Sequence, residues 1–149
     1  MNTPTNSASR TDATRKQSLT GARLRKHADY QTAYAAGRKR QSSSMSWFLA
    51  PQPETGISGP RVGLTVGKVI GKAHERNRIK RRMREALRRH VDLLPAHSDL
   101  ILHPRRVVLS IEFTKLEAEV VRILTQANTE AARAAHRTNA APPAAKSAL

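Results

Sequence analysis

Apolar positions along the chain recur at two spacings, and the change from one to the other outlines the elements. Over 42–50, Met45, Trp47 and Leu49 alternate with Ser44, Ser46 and Phe48, the period of two expected of a strand. Residues 61–66 are short, apolar and partly alternating, and predict a second strand. Between them, 51–60 carries two Gly and three Pro and predicts a loop joining antiparallel strands. Further on the spacing lengthens. Ile79, Met83, Ala86, Leu87 and His90 follow i, i+4, i+7, i+8, i+11, one face of an amphipathic helix. No Gly or Pro interrupts 74–94, and Pro95 ends that helix. Residues 99–102 read as a short buried strand. A last helix spans about 111–130, with Ser110 as N-cap and Phe113, Leu116, Val120, Ile123, Leu124 and Ala127 on one face. At the front, Leu24, His27, Ala28, Tyr30 and Tyr34 predict a helix across 26–36 with Gly37 as its C-cap. Residues 1–18 and 131–149 have little to bury and are expected to be disordered tails around one domain, 19–130.

Charge narrows the function. The chain carries 27 Lys and Arg against 11 Asp and Glu, a formal +16. Ten of those cations and only two Glu fall within the 22 residues 68–89, so half of the excess lies on the strand–turn–helix unit in the middle. A solvated helix face ordinarily mixes signs, whereas this one repels itself unless a polyanion is present. The helix therefore reads as a nucleic-acid grip. Asn77, Lys80, Arg81, Arg84 and Arg88 share one polar stripe, and Arg78, Arg82, Glu85 and Arg89 share another. Arg76 stands in the first turn, beside the apolar edge. Arginine suits phosphate because its planar fork donates two hydrogen bonds. Asn77 both donates and accepts, so it can read a base edge or a ribose hydroxyl, or fix its own turn. Arg38-Lys39-Arg40 adds a basic cluster at the end of the first helix. Glu112, Glu117 and Glu119 lie on the polar side of the last helix, which is expected to face away from nucleic acid.

Other chemistry is sparse. There is no cysteine, hence no disulfide or thiolate metal site. This fits a reducing compartment, and a cytoplasmic location is expected. No apolar run is long enough to span a membrane. Gly67 to Lys72 has three residues between its glycines and Ala73 after the lysine, where a phosphate-binding P-loop needs four and a hydroxyl. His74-Glu75 opens like a zinc-binding helix motif, but Arg78 takes the second ligand position. His90, on the apolar face, is expected to be a satisfied, partly buried imidazole. No catalytic residue and no metal site are assigned to the chain. Tyr30 and Tyr34, four apart on one helix face, are either core aromatics or a stacking platform for unpaired bases.

Arg61-Val-Gly-Leu-Thr-Val-Gly-Lys, Gly71-Lys-Ala, Arg76-Asn-Arg-Ile-Lys-Arg and Arg84-Glu-Ala-Leu-Arg together resemble the bacterial ribonuclease P protein component. The likeness runs from about residue 24 to 127, and takes in the segment from Leu24 to Gly37 and Asp99-Leu-Ile-Leu with Arg105. It implies an α/β (α+β) two-layer sandwich with a small mixed sheet, in the order α-β-β-β-α-β-α. It also implies a left-handed crossover at the basic helix, against the usual right-handed rule. The implied partners are a catalytic RNA subunit and precursor tRNA, with no obligate protein partner. The pair would remove the 5′ leader, with the chemistry and its Mg²⁺ in the RNA. By the same resemblance Arg76, Asn77, Arg78, Lys80 and Arg81 contact the catalytic RNA, with Arg84 and Arg88 further along the stripe. Tyr30, Tyr34, and Trp47 or Phe48 meet the single-stranded leader, and Lys68 and Arg105 line that cleft. Three positions depart from the family pattern. Gly67-Lys68-Val69 stands where Ser-Lys-Lys is common, Glu75 where an apolar residue is usual, and His103-Pro104 where the strand more often continues.

Three other readings compete. A structural, ribosomal-type RNA-binding protein has similar composition but does not account for the Tyr pair or the setting of the Arg-Asn-Arg motif. A duplex-DNA regulator would use the basic helix for recognition, yet its apolar stripe suits packing on a sheet. A self-sufficient nuclease lacks the acid and histidine inventory.

Overall fold

Helix α1 (His27–Ala36) forms where the sequence predicts and stops at Gly37, whose N–H returns to Ala33 O at 2.7 Å. The chain then pairs instead of looping. Arg38–Gln41 is strand β1, antiparallel to β2 (Met45–Pro51). An exposed basic edge strand needs no apolar alternation, so the period-two pattern does not reveal it. Strand β3 (Arg61–Leu64), helix α2 (Ala73–Arg88), strand β4 (Ser98–Pro104) and helix α3 (Phe113–Ala140) complete the order α-β-β-β-α-β-α, with short 3-10 turns at Lys68–Ile70, Val91–Leu93 and Arg106–Leu109. The computed structural model describes residues 19, 21–52 and 59–140. The predicted tail at 1–18, most of the 51–60 loop and residues 141–149 lie outside them.

Several boundaries move. Helix α2 ends at Arg88 rather than 94, because the next turn tightens. The N–H of His90 bonds Leu87 O at 3.0 Å, and the chain folds Leu94 back into the core. Strand β4 is longer than 99–102 and includes His103 and Pro104, which pair with Ser46 and Met45. Helix α3 begins at Phe113, not 111. Ser110 Oγ bonds Val107 O in the preceding 3-10 turn and so does not cap α3. The helix also continues to Ala140, ten residues past the expected boundary. Its alanines there favour helix intrinsically.

The sheet order is β1-β2-β4-β3. Strand β4 inserts between β2 and β3, so the 51–60 loop does not join neighbours. β4 is antiparallel to β2 and parallel to β3, with α2 as the crossover between the parallel pair. Outside β3, Val62 donates to Ala22 O at 2.7 Å and accepts from Leu24 N–H at 2.9 Å, so the segment before α1 covers that edge.

Alternation sorts the side chains into two faces. Met45, Trp47, Val62, Leu100 and Leu102 pack with Ile79, Met83 and Leu87 of α2 and Leu116, Val120 and Leu124 of α3. Both helical stripes read from the sequence are buried here, and truncating Ile79 to Ala is worth about 2–5 kcal/mol. On the opposite face Ala50 and Ile101 meet Leu24 and Ala33, with Tyr30, Tyr34 and Phe48 against them. Two polar ties fix the frame. Asp99, 2% exposed, accepts from Arg61 Nε and Nη2 at 2.8 Å each, and Arg61 Nη1 also reaches Asp29 at 3.1 Å. Glu119, expected on the polar face of α3, is 3% exposed and accepts from Ser42 Oγ at 2.6 Å and the Ser44 N–H at 2.8 Å. It caps the β1–β2 turn from inside.

Candidate nucleic-acid interface

The cations of α2 divide by whether an acid answers them. Arg88 donates to both Glu85 oxygens at 2.7 Å. Arg89 bonds the same carboxylate at 2.9 Å and lies 4.9 Å over the Phe113 ring. These two arginines hold the Glu85 carboxyl below the usual range, with Arg88 the larger cause. Arg82 is half-buried and bonds Ile111 O ahead of α3. His90 bonds Glu117 at 2.8 Å, as a satisfied imidazole should. Arg78, Lys80, Arg81 and Arg84 have no acidic partner among the described residues. Lys80 and Arg84, with Arg23, line a cleft of about 140 Å³ over Leu24, Tyr30, Val62 and Leu64. Asn77 is exposed, and its amide makes no hydrogen bond among the described residues. Arg88, placed in the RNA-contacting stripe by sequence, is thus already paired at i−3.

The turn into α2 is fixed by other residues. Arg76 Nε donates to Gly71 O at 3.1 Å, and Glu75 accepts the Lys72 N–H at 2.9 Å. Arg106 donates to Glu75 at 2.9 and 2.6 Å and to Ile70 O at 3.1 Å. The Arg106 bond and the Lys72 N–H hold the Glu75 carboxyl down to about 2. Glu75 therefore has a job where its apolar counterpart would have none: it closes the first turn of the basic helix. A Cβ on Gly71 would sit 2.5 Å from Arg106 Nη1 and 2.6 Å from Glu75 Oε1, so glycine makes room for the clamp.

The open face of the sheet gathers aromatic rings. Tyr34 from α1 meets Phe48 edge-on at 5.0 Å, and His103 from β4 lies 5.7 Å from Tyr34 and 5.4 Å from Phe48. Tyr34 Oη is 2.9 Å from His103 Nε2 and 3.2 Å from Thr65 Oγ1. Tyr30 stands 6.4 Å from Tyr34, with its hydroxyl on Leu24 O and its ring on the backbone of Gly63. Trp47 is excluded. It is 1% exposed and belongs to the core, because strand alternation sends it to the face opposite Phe48. Lys39 pairs with Phe48 in register and so shares the aromatic face. Its charge and, more strongly, burial depress the His103 pKa. Lys68 is exposed on the 3-10 turn beyond Thr65. Arg105 turns away to the β1–β2 turn, donating to Ser42 O at 3.0 Å, Ser43 O at 3.3 Å and Gln41 Oε1. Its exposed guanidinium braces the rim of the face from outside while Glu119 holds it from inside.

Sequence reasoning noted Lys39 in a basic cluster and His103 as a departure, but placed neither of them, nor Thr65, on the aromatic face. For His103 and Thr65 the signal was the period of two: His103 follows Ile101 by two, and Thr65 follows Gly63 by two. No described helix is long and apolar enough to cross a membrane. Among the described residues no group of three or more His, Asp or Glu side chains is placed to hold a metal ion, and the carboxylates near the interface are already bonded to cations.

Comparison with known proteins agrees with this architecture. The Ribonuclease P family model matches residues 20–128. The ribonuclease P protein component of Thermobifida fusca is 33% identical over 123 residues, covering 79% of this chain and 84% of the relative. That of Chloroflexus aggregans is 35% identical over 106 residues, covering 70% and 76%. Among solved structures, the RNase P protein from Thermotoga maritima superposes with a TM-score of 0.61 at 25% identity, over 70% of this chain and 96% of that one. The Staphylococcus aureus RNase P protein gives 0.61 at 25% identity, over 71% and 94%. With its family model spanning the whole sheet and α3 as far as residue 128, the chain belongs to the ribonuclease P protein family.

Proposed function

We propose that α2 holds the catalytic RNA of ribonuclease P while the aromatic face takes the single-stranded 5′ leader of precursor tRNA. The observation that carries this is the division of charge on α2. Arg78, Lys80, Arg81 and Arg84 lack acidic partners, whereas the nearby acids are engaged by Arg88, Arg89 and Arg106. Three arginines and a lysine without acidic partners, beside an exposed Asn77, suit RNA phosphates and one base or ribose contact. On the sheet face Tyr34 and Phe48 offer aromatic surface to unpaired bases, and Lys39 and Lys68 supply charge for the strand's phosphates. No step of the cleavage is assigned to a side chain of this chain. The catalytic RNA and its Mg²⁺ perform the hydrolysis, in the cytoplasm, and the protein lowers the ionic requirement by neutralising phosphates of both RNAs.

The test is cleavage of precursor tRNA at low Mg²⁺ by the protein alone, bacterial catalytic RNA alone, and both together. Cleavage at the mature 5′ end only with both present is the expected result. Cleavage by the protein alone would refute the absence of a protein catalytic site. RNA binding without stimulation would favour a structural RNA-binding role instead.

A further inference from the structure

His103 forms one end of a three-member hydrogen-bond relay. Tyr34 Oη lies between His103 Nε2, at 2.9 Å, and Thr65 Oγ1, at 3.2 Å. The phenol has one proton to give, so the relay has two self-consistent settings. In one, Thr65 donates to Tyr34, Tyr34 donates to Nε2, and the neutral ring carries its proton on Nδ1. In the other, Nε2–H donates to Tyr34, Tyr34 donates to Thr65, and Nδ1 is a bare acceptor. Among the described residues Nδ1 has no hydrogen-bond partner, although the ring is half-buried and flanked by Phe48 at 5.4 Å. Nδ1 is not among the buried unpaired atoms of the described residues, so it is open to solvent and to a ligand. The groups facing the ring are Lys39 of β1, Phe48 and Ser46 of β2, Thr65 after β3 and Tyr34 of α1. None is acidic, so nothing on that face stabilises an imidazolium, and the neutral ring that the relay requires is favoured.

We infer that His103 is a base-contacting residue of the aromatic face, and that its Nδ1 offers a donor or an acceptor to an unpaired nucleobase according to the setting of the Tyr34–Thr65 relay. The inference rests on the leader-binding reading of that face. The ligand is the hydrogen-bonding edge of a single-stranded base held against Tyr34 or Phe48. At the exocyclic 6- or 4-position of that edge adenine and cytosine present a donor amine, whereas guanine and uracil present an acceptor oxygen. A contact whose polarity reverses when the two hydroxyls turn and the ring exchanges its proton between Nδ1 and Nε2 through water therefore accepts any base, which suits a subunit that must take leaders of differing sequence. The ring loses one proton to water as it gains another, so no net charge changes.

The experiment uses the holoenzyme of full-length protein with catalytic RNA, and measures affinity for precursor tRNA and for leaderless tRNA. His103→Phe keeps a ring and removes both nitrogens. It should weaken precursor binding about 3- to 10-fold, the effect of one lost hydrogen bond, without changing leaderless binding. Thr65→Val removes the far end of the relay and leaves Nε2 as the acceptor for the Tyr34 proton, so Nδ1–H becomes a fixed donor. Competitive binding of a precursor pool with randomised leaders should then show a new preference, at one leader position, for bases offering an acceptor. Tyr34→Ala separates the two levels of the argument. If it lowers the precursor-to-leaderless ratio while His103→Phe does not, the leader reading stands and the His103 inference is overturned. If neither variant changes the ratio, both fall. A wild-type preference profile in Thr65→Val would overturn the relay.

Discussion

Arg81 and Arg88 sit on the same polar stripe of α2, yet they should respond differently to salt. Each phosphate neutralised by a cation releases condensed counterions and makes log K fall with log salt by about 0.7–0.9. Arg81 has no acidic partner among the described residues, so Arg81→Gln should make the slope for catalytic-RNA binding shallower by about that amount. Over about 50–200 mM salt this is a roughly threefold change in the ratio of variant to wild-type affinity. Replacing Arg78 as well should double the change in slope. Arg88 already donates to both Glu85 oxygens at 2.7 Å. Arg88→Gln should therefore move the slope by less than half as much. Glu85→Gln should do the reverse, freeing Arg88 and Arg89 and steepening the slope. The assay is equilibrium binding of labelled catalytic RNA across a salt series, with circular dichroism to confirm the helix. Equal slope changes for Arg81→Gln and Arg88→Gln would refute the claim that intrahelical pairing removes Arg88 from the interface.

Three further outcomes follow from the frame. Arg61→Met leaves Asp99 charged and buried, and should lower stability by about 3–5 kcal/mol in urea unfolding. The double variant with Asp99→Asn should recover part of that loss, and no recovery would mean that the pair is not the cause. Gly63→Ala should destabilise by about 1–3 kcal/mol through overpacking, since its Cβ would lie 2.5 Å from Tyr30 Oη. The same change beside Tyr30→Leu should be milder. The Glu75 carboxyl is held down to about 2, so its clamp on the start of α2 is complete above the ordinary carboxylate range and is lost as pH falls towards that value. Wild type should melt above Glu75→Gln at neutral pH, and the two should converge near the acid limit. A gap that persists there would rule out the charged clamp.

Patterning found the two helical stripes because burial of Ile79, Met83, Leu116 and Val120 depends on spacing within a single helix. Likewise Met45 and Trp47 alternate within one strand. Strand β1 escaped because an exposed edge strand of Arg, Lys and Gln carries no apolar signal. The insertion of β4 between β2 and β3 depends on pairing at a distance, which a local period does not encode. The same limit divides the site. Lys80, Arg81 and Arg84 were legible on one polar stripe and Arg78 on another, and Tyr34 as one of an aromatic pair whose role, core or stacking platform, stayed open. That Arg105 braces residues more than 60 positions away, or that Glu119 is buried under the same turn, follows only from the folded arrangement. Sequence left Trp47 and Phe48 as alternatives for the aromatic face, and the register assigns Phe48.

The covering of the outer β3 edge bears on self-association. An open strand edge is a template for a second chain. Here Ala22 and Leu24 engage both backbone groups of Val62, and the opposite edge, β1, carries Arg38, Lys39 and Arg40. One border is thus occupied by the chain's own backbone, and the other repels a copy of itself. The protein can carry a strongly apolar four-stranded sheet and still wait for its RNA without strand-to-strand aggregation, provided that the few residues ahead of α1 stay in place.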